Sequence, residues 1–227
     1  MFTNEIKKFL LKNGANVVGF ANLKGLPEDI RENFDHGIVI GLKYSKEAIE
    51  KNKNGDLEEY YKQYNDLNKR LDDLAILTEK MIINKGYGAI AKLRSMVSYD
   101  EDFKSSLPHK TVATLAGLGW IGKNGLLITE EFGSALRIIV VLTNAPLKCG
   151  KPIEQSLCTY TCNTCVNICP GNAVSGRLWN KSISRDDFYD AKACFKFASK
   201  YAKEKLGIEE AICGLCVSNC PFTERSF

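Results

Sequence analysis

The sequence lacks a long apolar run, which excludes a membrane-spanning helix. No stretch of the 227 residues approaches the roughly eighteen apolar residues that such a helix needs. The net charge of +4 is too small to require a nucleic acid or a membrane surface as partner. The N-terminal segment has interleaved charges and no small-residue cleavage site, so it does not resemble a signal peptide, and a cytoplasmic protein is expected.

Histidine is scarce, and cysteine is missing from most of the chain. The two histidines are His36 and His109, and all nine cysteines lie after residue 148. Neither histidine stands in an Asp-x-His-x-x-Gly pattern, the kind that ligates cobalt from below. The confinement of cysteine to the C-terminal part predicts two domains, residues 1–147 and residues 148–227.

Hydrophobic periodicity predicts an α+β fold. Helix-spaced apolar residues predict helices over residues 4–12, 56–85, 110–116 and 187–206. Apolar runs predict strands over residues 17–20, 37–41, 87–93, 126–129 and 136–142. The lysine-rich stretch 46–53 is interpreted as solvated surface. Because helices and strands alternate irregularly, an α+β or mixed sheet with flanking helices is expected.

Two cysteine motifs dominate the second predicted domain. Each ends in Cys-x-x-Cys-x-x-x-Cys-Pro, the first at Pro170 and the second at Pro221. Bacterial two-cluster ferredoxins have this run, and in them the last Cys before Pro ligates the other cluster. The pattern therefore predicts two [4Fe–4S] clusters, the first held by Cys158, Cys162, Cys165 and Cys220 and the second by Cys169, Cys194, Cys213 and Cys216.

Zinc and disulfides are weaker interpretations of these cysteines. Four-cysteine zinc sites usually combine two separated Cys-x-x-Cys pairs without the Cys-Pro ending. Disulfides would need an oxidising compartment. Cys149 is left over as the ninth cysteine. Because three residues rather than two separate Cys158 from Cys162, Cys149 in place of Cys158 is an alternative ligand of the first cluster.

A glycine-rich motif precedes the cysteines. Residues 116–124 read Ala-Gly-Leu-Gly-Trp-Ile-Gly-Lys-Asn and contain a formal Gly-x-Gly-x-x-Gly. A Rossmann fingerprint needs a strand before it and a helix after it, the reverse of the predicted order, and the P-loop spacing is absent. Three glycines would let the backbone pass close to a large ligand, with Trp120 as an apolar face and Lys123 as a cation for a phosphate or carboxamide. A structural tight turn around a buried Trp is the alternative.

Together, the glycine motif and the cysteine motifs resemble the epoxyqueuosine reductase family over residues 105–221. The resemblance implies a nitroreductase-like, cobalamin-binding α/β sandwich domain, followed by a small ferredoxin-like domain with two [4Fe–4S] clusters. It also implies an oxidoreductase that takes electrons from a donor protein such as ferredoxin or flavodoxin and passes them to cobalamin or a related corrinoid. On the same resemblance the corrinoid would be lined by Pro108, Gly117, Leu118, Gly119, Trp120, Gly122 and Lys123.

Two departures from the family bear on the reaction. The family has an Asp-Ser-x-Pro segment whose Asp is the proton donor, and matching the prolines places Ser105 at the Asp position. The candidate catalytic residues are then His109, Asp102 and Tyr99. The chain ends six residues after Pro221, so the helical extension that helps the family hold tRNA is expected to be absent. tRNA therefore stays only a candidate partner.

Two other functions fit the same residues. A non-catalytic ferredoxin-type electron carrier or corrinoid-handling protein would need the clusters but no proton donor, which suits Ser105. A flavin reductase would hold FMN in place of the corrinoid in the nitroreductase-like domain. In each case the cofactor carries the chemistry, and the protein binds and orients it.

Overall fold

The computed structural model describes residues 2–96 and 98–227, and helix and sheet are mixed within them. The helices are α1 (Phe2–Lys12), α2 (Lys46–Lys53), α3 (Glu58–Ile83), α4 (His109–Leu115), α5 (Thr164–Ile168), α6 (Ala191–Leu206), α7 (Leu215–Ser218) and α8 (Pro221–Glu224). The strands are β1 (Val17–Asn22), β2 (His36–Lys43), β3 (Ala89–Ala91), β4 (Trp120–Ile121), β5 (Leu127–Ile128) and β6 (Leu136–Thr143). This mixture agrees with the predicted α+β class.

The chain divides into two compact units, and each unit is assembled from separated parts of the sequence. Unit 1 comprises Met1–Lys43, Leu67–Gly119 and Arg137–Ile153. Unit 2 comprises Tyr44–Asp66, Trp120–Leu136 and Glu154–Phe227. All eight predicted cluster ligands lie in unit 2, and Cys149 lies in unit 1. The domain boundary between residues 147 and 148 rests on cysteine content and stays a prediction.

Unit 1 is built on a four-stranded sheet with the order β1-β2-β6-β3. β1 pairs antiparallel with β2, with Val17 opposite Gly41, and β3 pairs antiparallel with β6, with Ala89 opposite Thr143. β2 lies in the interior of the sheet and is buried over most of its length. A strand covered in this way reads as a continuous apolar run, which is why β2 could be predicted from its sequence. Helices α1 and α4 pack on β1, and α4 also contacts β2.

Unit 2 contains the β4–β5 hairpin, helices α2, α5, α6, α7 and α8, and long irregular segments. Helix α2 packs on α7, and Asn52 Nδ2 donates to Ser218 Oγ at 2.7 Å within this contact. Gly214, just before α7, has φ +74, and a Cβ there would lie 2.5 Å from the Tyr60 ring. Residues 44–66 therefore pack against helix α7, which carries Cys216.

Local capping signals define several helix ends. Ser45 Oγ accepts from Ala48 N at 3.1 Å at the start of α2, and Asp190 Oδ1 accepts from Ala193 N at 2.9 Å at the start of α6. Helix α6 ends at Gly207, whose φ of 69 is left-handed and suits glycine. None of the described helices is long and apolar enough to cross a bilayer.

Two sequence interpretations need correction. The stretch 46–53 exposes its lysines, as expected, but it forms α2 and buries Ala48, Ile49 and Asn52. Strand β4 was not predicted at all, and it lies inside the glycine motif and pairs with β5. Two-residue strands carry no detectable period-2 pattern, and the many charged residues of α2 hide its short apolar face.

Candidate functional site

Four of the cysteines line one cavity in unit 2. They are the predicted ligands of the first cluster, Cys158, Cys162, Cys165 and Cys220. The cavity has about 310 Å³ of empty space, part of which is open to solvent. Burial, together with the neighbouring thiols of Cys158, Cys220 and Cys162, raises the pKa of the Cys165 thiol to about 11. The fold thus brings Cys220 from the second motif beside three cysteines of the first motif.

The other four predicted ligands, Cys169, Cys194, Cys213 and Cys216, are also neighbours in unit 2. Burial raises the pKa of Cys216, and Cys194, Cys213 and Cys169 are among the thiols that raise it further. Burial likewise raises the pKa of Cys213 to about 11, with Cys194 and Cys169 contributing. Cys165 of the first group also raises the pKa of Cys216, so the two groups of four adjoin.

Backbone N–H groups are directed at sulfur atoms in both groups. Burial raises the pKa of Cys220, and hydrogen bonds from the backbone N–H groups of Thr223 and Phe222 act in the opposite direction. In the second group, Ala173 N donates to Cys169 Sγ at 3.4 Å. Such donors favour the thiolate over the thiol, and hydrogen bonds to sulfur are a known feature of iron–sulfur ligation. The thiols of both groups would release their protons on binding a metal cluster.

No group of three or more His, Cys, Asp or Glu side chains among the described residues closes around one metal-ion position. The cysteines of the first group are instead arranged around a cavity. A four-iron cluster bonds its four thiolates through different iron atoms, so its ligands surround a volume and do not meet at a point. The donor set and the arrangement of the first group therefore fit a [4Fe–4S] cluster.

Tyr189 is a site residue that the sequence analysis missed. Its hydroxyl forms a hydrogen bond with the side chain of Cys194, and burial raises the pKa of Tyr189, so the phenol stays protonated. The Tyr189 ring packs against Gly125, and a Cβ added at Gly125 would lie 2.9 Å from the ring. Tyr189 stands outside both cysteine motifs, so no spacing pattern marks it.

Lys123 lies in unit 2 beside the first group of cysteines. The residue is 2% exposed and lines the same cavity. Its Nζ donates to the carbonyl oxygens of Cys162 at 2.8 Å and Tyr160 at 3.1 Å, and to Asn163 Oδ1 at 3.4 Å. The ammonium group is held by these three oxygens. Its predicted contact with a phosphate or carboxamide of a corrinoid stays a prediction.

The first half of the glycine motif packs within unit 1. A Cβ on Gly117 would lie 2.4 Å from the carbonyl oxygen of Lys151, and Gly117 has φ +71. The side chain of Leu118 packs against Gly19, and a Cβ added at Gly19 would lie 2.6 Å from Leu118 Cγ. A side chain at position 117 would therefore collide with the backbone of unit 1.

The second half of the motif, in unit 2, forms a tight hairpin around a buried tryptophan. Trp120 is 1% exposed, and its ring packs edge-on against Phe222 with a centroid distance of 5.0 Å. Gly122 N donates to Leu126 O at 2.9 Å, and a Cβ on Gly122 would lie 2.3 Å from Ile128 Cδ1. These contacts form a tight turn with Trp120 buried inside it. The lining role of Pro108, Gly119 and the rest of the set stays a prediction.

The three catalytic candidates lie in unit 1 in different environments. Tyr99 is 64% exposed, and its backbone pairs with Ser105 in an isolated bridge. Asp102 is exposed, and its backbone N–H donates to Asp100 Oδ1 at 2.9 Å. His109 begins helix α4 directly after Pro108, which occupies the N-cap position. The catalytic roles of all three stay predictions.

Burial sets the ionisation state of His109. It lowers the pKa of His109 to about 4, while a hydrogen bond to the backbone of Ile138 opposes the shift and the charges of Arg137 and Lys92 add to it. The imidazole is therefore neutral near pH 7, so any proton that it donated would come from a neutral ring.

His109 is expected to make the protein less stable in acid. The unfolded chain binds the proton near pH 6.5 and the folded chain only near pH 4, so unfolding takes up a proton between these values and is favoured as the pH falls. The free energy of unfolding should drop by about 3 kcal/mol across this window. Denaturant titrations at several pH values measure it. His109→Gln should make the free energy of unfolding much less dependent on pH, and His36→Gln should largely keep that dependence. Equal pH dependence in wild type and His109→Gln would contradict the assignment of the effect to His109.

Comparison with known proteins supports the same family as the motifs. No protein-family model matches the sequence. The epoxyqueuosine reductase of Atelocyanobacterium thalassa is 34% identical over 128 residues, which cover 52% of this chain and 38% of that protein. The tetrachloroethene reductive dehalogenase of Sulfurospirillum multivorans is 35% identical over 122 residues, covering 49% of this chain and 23% of that protein. The chain thus spans well under half the length of these two curated relatives.

Solved structures share the fold. An epoxyqueuosine reductase bound to an epoxyqueuosine-modified tRNA-Tyr stem loop matches with a TM-score of 0.64 and 18% identity, covering 98% of this chain and 65% of that one. A reductive dehalogenase described as B12-dependent matches with a TM-score of 0.69 and 20% identity, covering 95% and 31%. At identities of 18% and 20%, these structures establish only that the fold is similar. The sequence relatives, among them several epoxyqueuosine reductases that are 25% to 35% identical, support an epoxyqueuosine reductase-like family for this chain.

Proposed function

We propose that this chain is an iron–sulfur oxidoreductase that holds two [4Fe–4S] clusters in unit 2. The observation that carries the proposal is the sorting of eight cysteines into two adjoining groups of four. The first cluster would be held by Cys158, Cys162, Cys165 and Cys220, and the second by Cys169, Cys194, Cys213 and Cys216. When bound, the clusters supply one-electron transfer, fed by a donor protein such as ferredoxin or flavodoxin.

The residues around the cysteines would bind the clusters and tune them. The N–H groups of Thr223 and Phe222 favour the thiolate of Cys220, and Ala173 N donates to Cys169 Sγ at 3.4 Å. Phe222 and Ile128 add apolar side chains to the lining of the cavity of the first group. Apolar cover limits the access of water, and solvent exposure is one of the factors that set the potential of a cluster.

We further propose a reductive reaction, on similarity to epoxyqueuosine reductases and to reductive dehalogenases. Cobalamin or a related corrinoid is the proposed electron acceptor on the same basis, within a nitroreductase-like domain followed by a ferredoxin-like one. Gly117, Gly122, the ring of Trp120 and Lys123 all make close contacts within the chain, and no step of the reaction is assigned to them. One structural relative holds a tRNA stem loop, which keeps tRNA as a candidate substrate.

A non-catalytic electron carrier is the second candidate, and two features of the chain favour it. The family's acid position is occupied by Ser105, and the buried His109 next to that segment is neutral near pH 7 because burial lowers its pKa to about 4. A carrier needs no proton donor, so it would tolerate both features. A flavin reductase that binds FMN is the third candidate.

Anaerobic reconstitution tests the proposal. Iron and sulfide should each approach about eight per chain, and stoichiometric zinc without sulfide would refute the clusters. Addition of cobalamin under reducing conditions should give base-off spectra, because neither histidine stands in a cobalt-ligating pattern. Stoichiometric uptake of FMN with no corrinoid bound would favour the flavin reductase, and uptake of neither would favour the electron carrier.

A further inference from the structure

Lys123 carries a buried positive charge next to the first group of cysteines. The residue is 2% exposed, although lysine is almost never fully buried unless its charge is paired. Removing an ammonium group from water costs several kcal/mol unless nearby groups compensate for it. A partner for the charge is therefore expected inside unit 2.

The oxygen atoms around the ammonium group do not supply a negative charge. Its three acceptors are the carbonyls of Tyr160 and Cys162 and the amide oxygen of Asn163, all of them neutral. The cavity that Lys123 lines contains no Asp or Glu side chain within the described part of the chain. The ionisable groups that share this cavity with Lys123 are the thiols of Cys158, Cys162, Cys165 and Cys220.

We infer that Lys123 is the built-in counter-ion of the first iron–sulfur cluster and raises its reduction potential. The inference rests on the proposed function, since it requires the cluster to be bound by the four thiolates. Thiolate ligands give such a site net negative charge, and reduction adds one more electron. A fixed cation in a buried site stabilises the more negative, reduced form more than the oxidised form.

The hydrogen bonds give Lys123 a second effect on the same site. Two of its acceptors, Tyr160 and Cys162, stand either side of Thr161 in the segment that carries one ligand of the first cluster. The ammonium group therefore holds the backbone next to Cys162 in place while it provides the charge. Lys123 is a positioning residue, because its influence on the reaction passes through the cluster.

Redox titration of reconstituted variants, followed by electron paramagnetic resonance, tests the inference. Lys123→Gln replaces the ammonium donor with a neutral amide donor and so removes the charge, and one of the two clusters should therefore become harder to reduce. At a fixed potential its ratio of reduced to oxidised form should fall about tenfold, a shift of about 59 mV in the negative direction. Lys123→Arg keeps the charge and should keep the potential near that of wild type.

Lys196→Gln is the matched control. Lys196 is exposed on α6, two residues from Cys194, and water screens its charge, so both potentials should stay unchanged. Full iron in Lys123→Gln with unaltered potentials would overturn the inference and leave the clusters standing. Wild type without iron and sulfide would overturn the proposed function and the inference with it. Lys123→Gln could instead lose about four irons. In that case, full iron in Lys123→Arg would support the inference that the positive charge stabilises the first cluster, and loss of iron in both variants would overturn that inference.

Discussion

Replacement of Cys169 by serine is expected to remove about four of roughly eight irons, although Cys169 lies in the first cysteine motif. The iron lost should be that of the cluster held by Cys194, Cys213 and Cys216, because Cys169 acts on the pKa of Cys213 and Cys216 and is absent from the cavity of the first group. Iron and sulfide analysis, with electron paramagnetic resonance of the remaining cluster, measures the loss.

Paired substitutions make this prediction sharper. Cys169→Ser with Cys194→Ser removes two ligands of one cluster, so about four irons should remain. Cys165→Ser with Cys169→Ser removes one ligand of each cluster, so nearly all iron should be lost. The reverse outcome would mean that each motif holds its own cluster. Cys149→Ala serves as the control and should keep full iron, and a loss of about four irons there would identify Cys149 as the ligand in place of Cys158.

Gly117→Ala is expected to destabilise the protein by about 3 kcal/mol or more, whether or not a corrinoid binds. The added Cβ would lie 2.4 Å from the backbone oxygen of Lys151, at a residue with φ +71. Left-handed backbone alone costs a non-glycine residue about 1–2 kcal/mol, and a clash with backbone cannot be relieved by turning a side chain. Thermal and denaturant unfolding of the cofactor-free protein measure the loss.

Substitutions at two other glycines distinguish the stability cost of the clash from the cost of a left-handed backbone. Gly86→Ala introduces a left-handed alanine at φ +86 with no atom within 4 Å of the new Cβ, so it should cost only about 1 kcal/mol. Gly25→Ala has neither feature and should be close to neutral. If Gly117→Ala were no worse than Gly86→Ala, the Gly117 site would have room for a side chain, and the prediction that this residue faces a ligand would gain support.

The cysteine sites could be predicted from the sequence because their signal is local. Spacing within Cys-x-x-Cys-x-x-x-Cys-Pro determines which thiols can reach one cluster, and that spacing is visible without a fold. The roles within the glycine motif were not predictable in this way. The sequence suggests Lys123 as a cation for a ligand but does not show that its Nζ donates to Tyr160 and Cys162, which lie far along the chain. Only tertiary structure determines which of these distant groups meets the ammonium.

The sequence alone determined the α+β class, helices α1, α3 and α4 and the buried strand β2, because periodicity acts over short distances. Motif spacing likewise indicated that Cys158, Cys162, Cys165 and Cys220 belong together, and these four line one cavity. Tertiary structure decided that α2 supports α7, that Tyr189 meets Cys194 and that the glycine motif closes on its own chain. Each of these depends on contacts between segments far apart in sequence. Such contacts form where burial of apolar surface outweighs the loss of chain entropy, and no local pattern records which segments will meet.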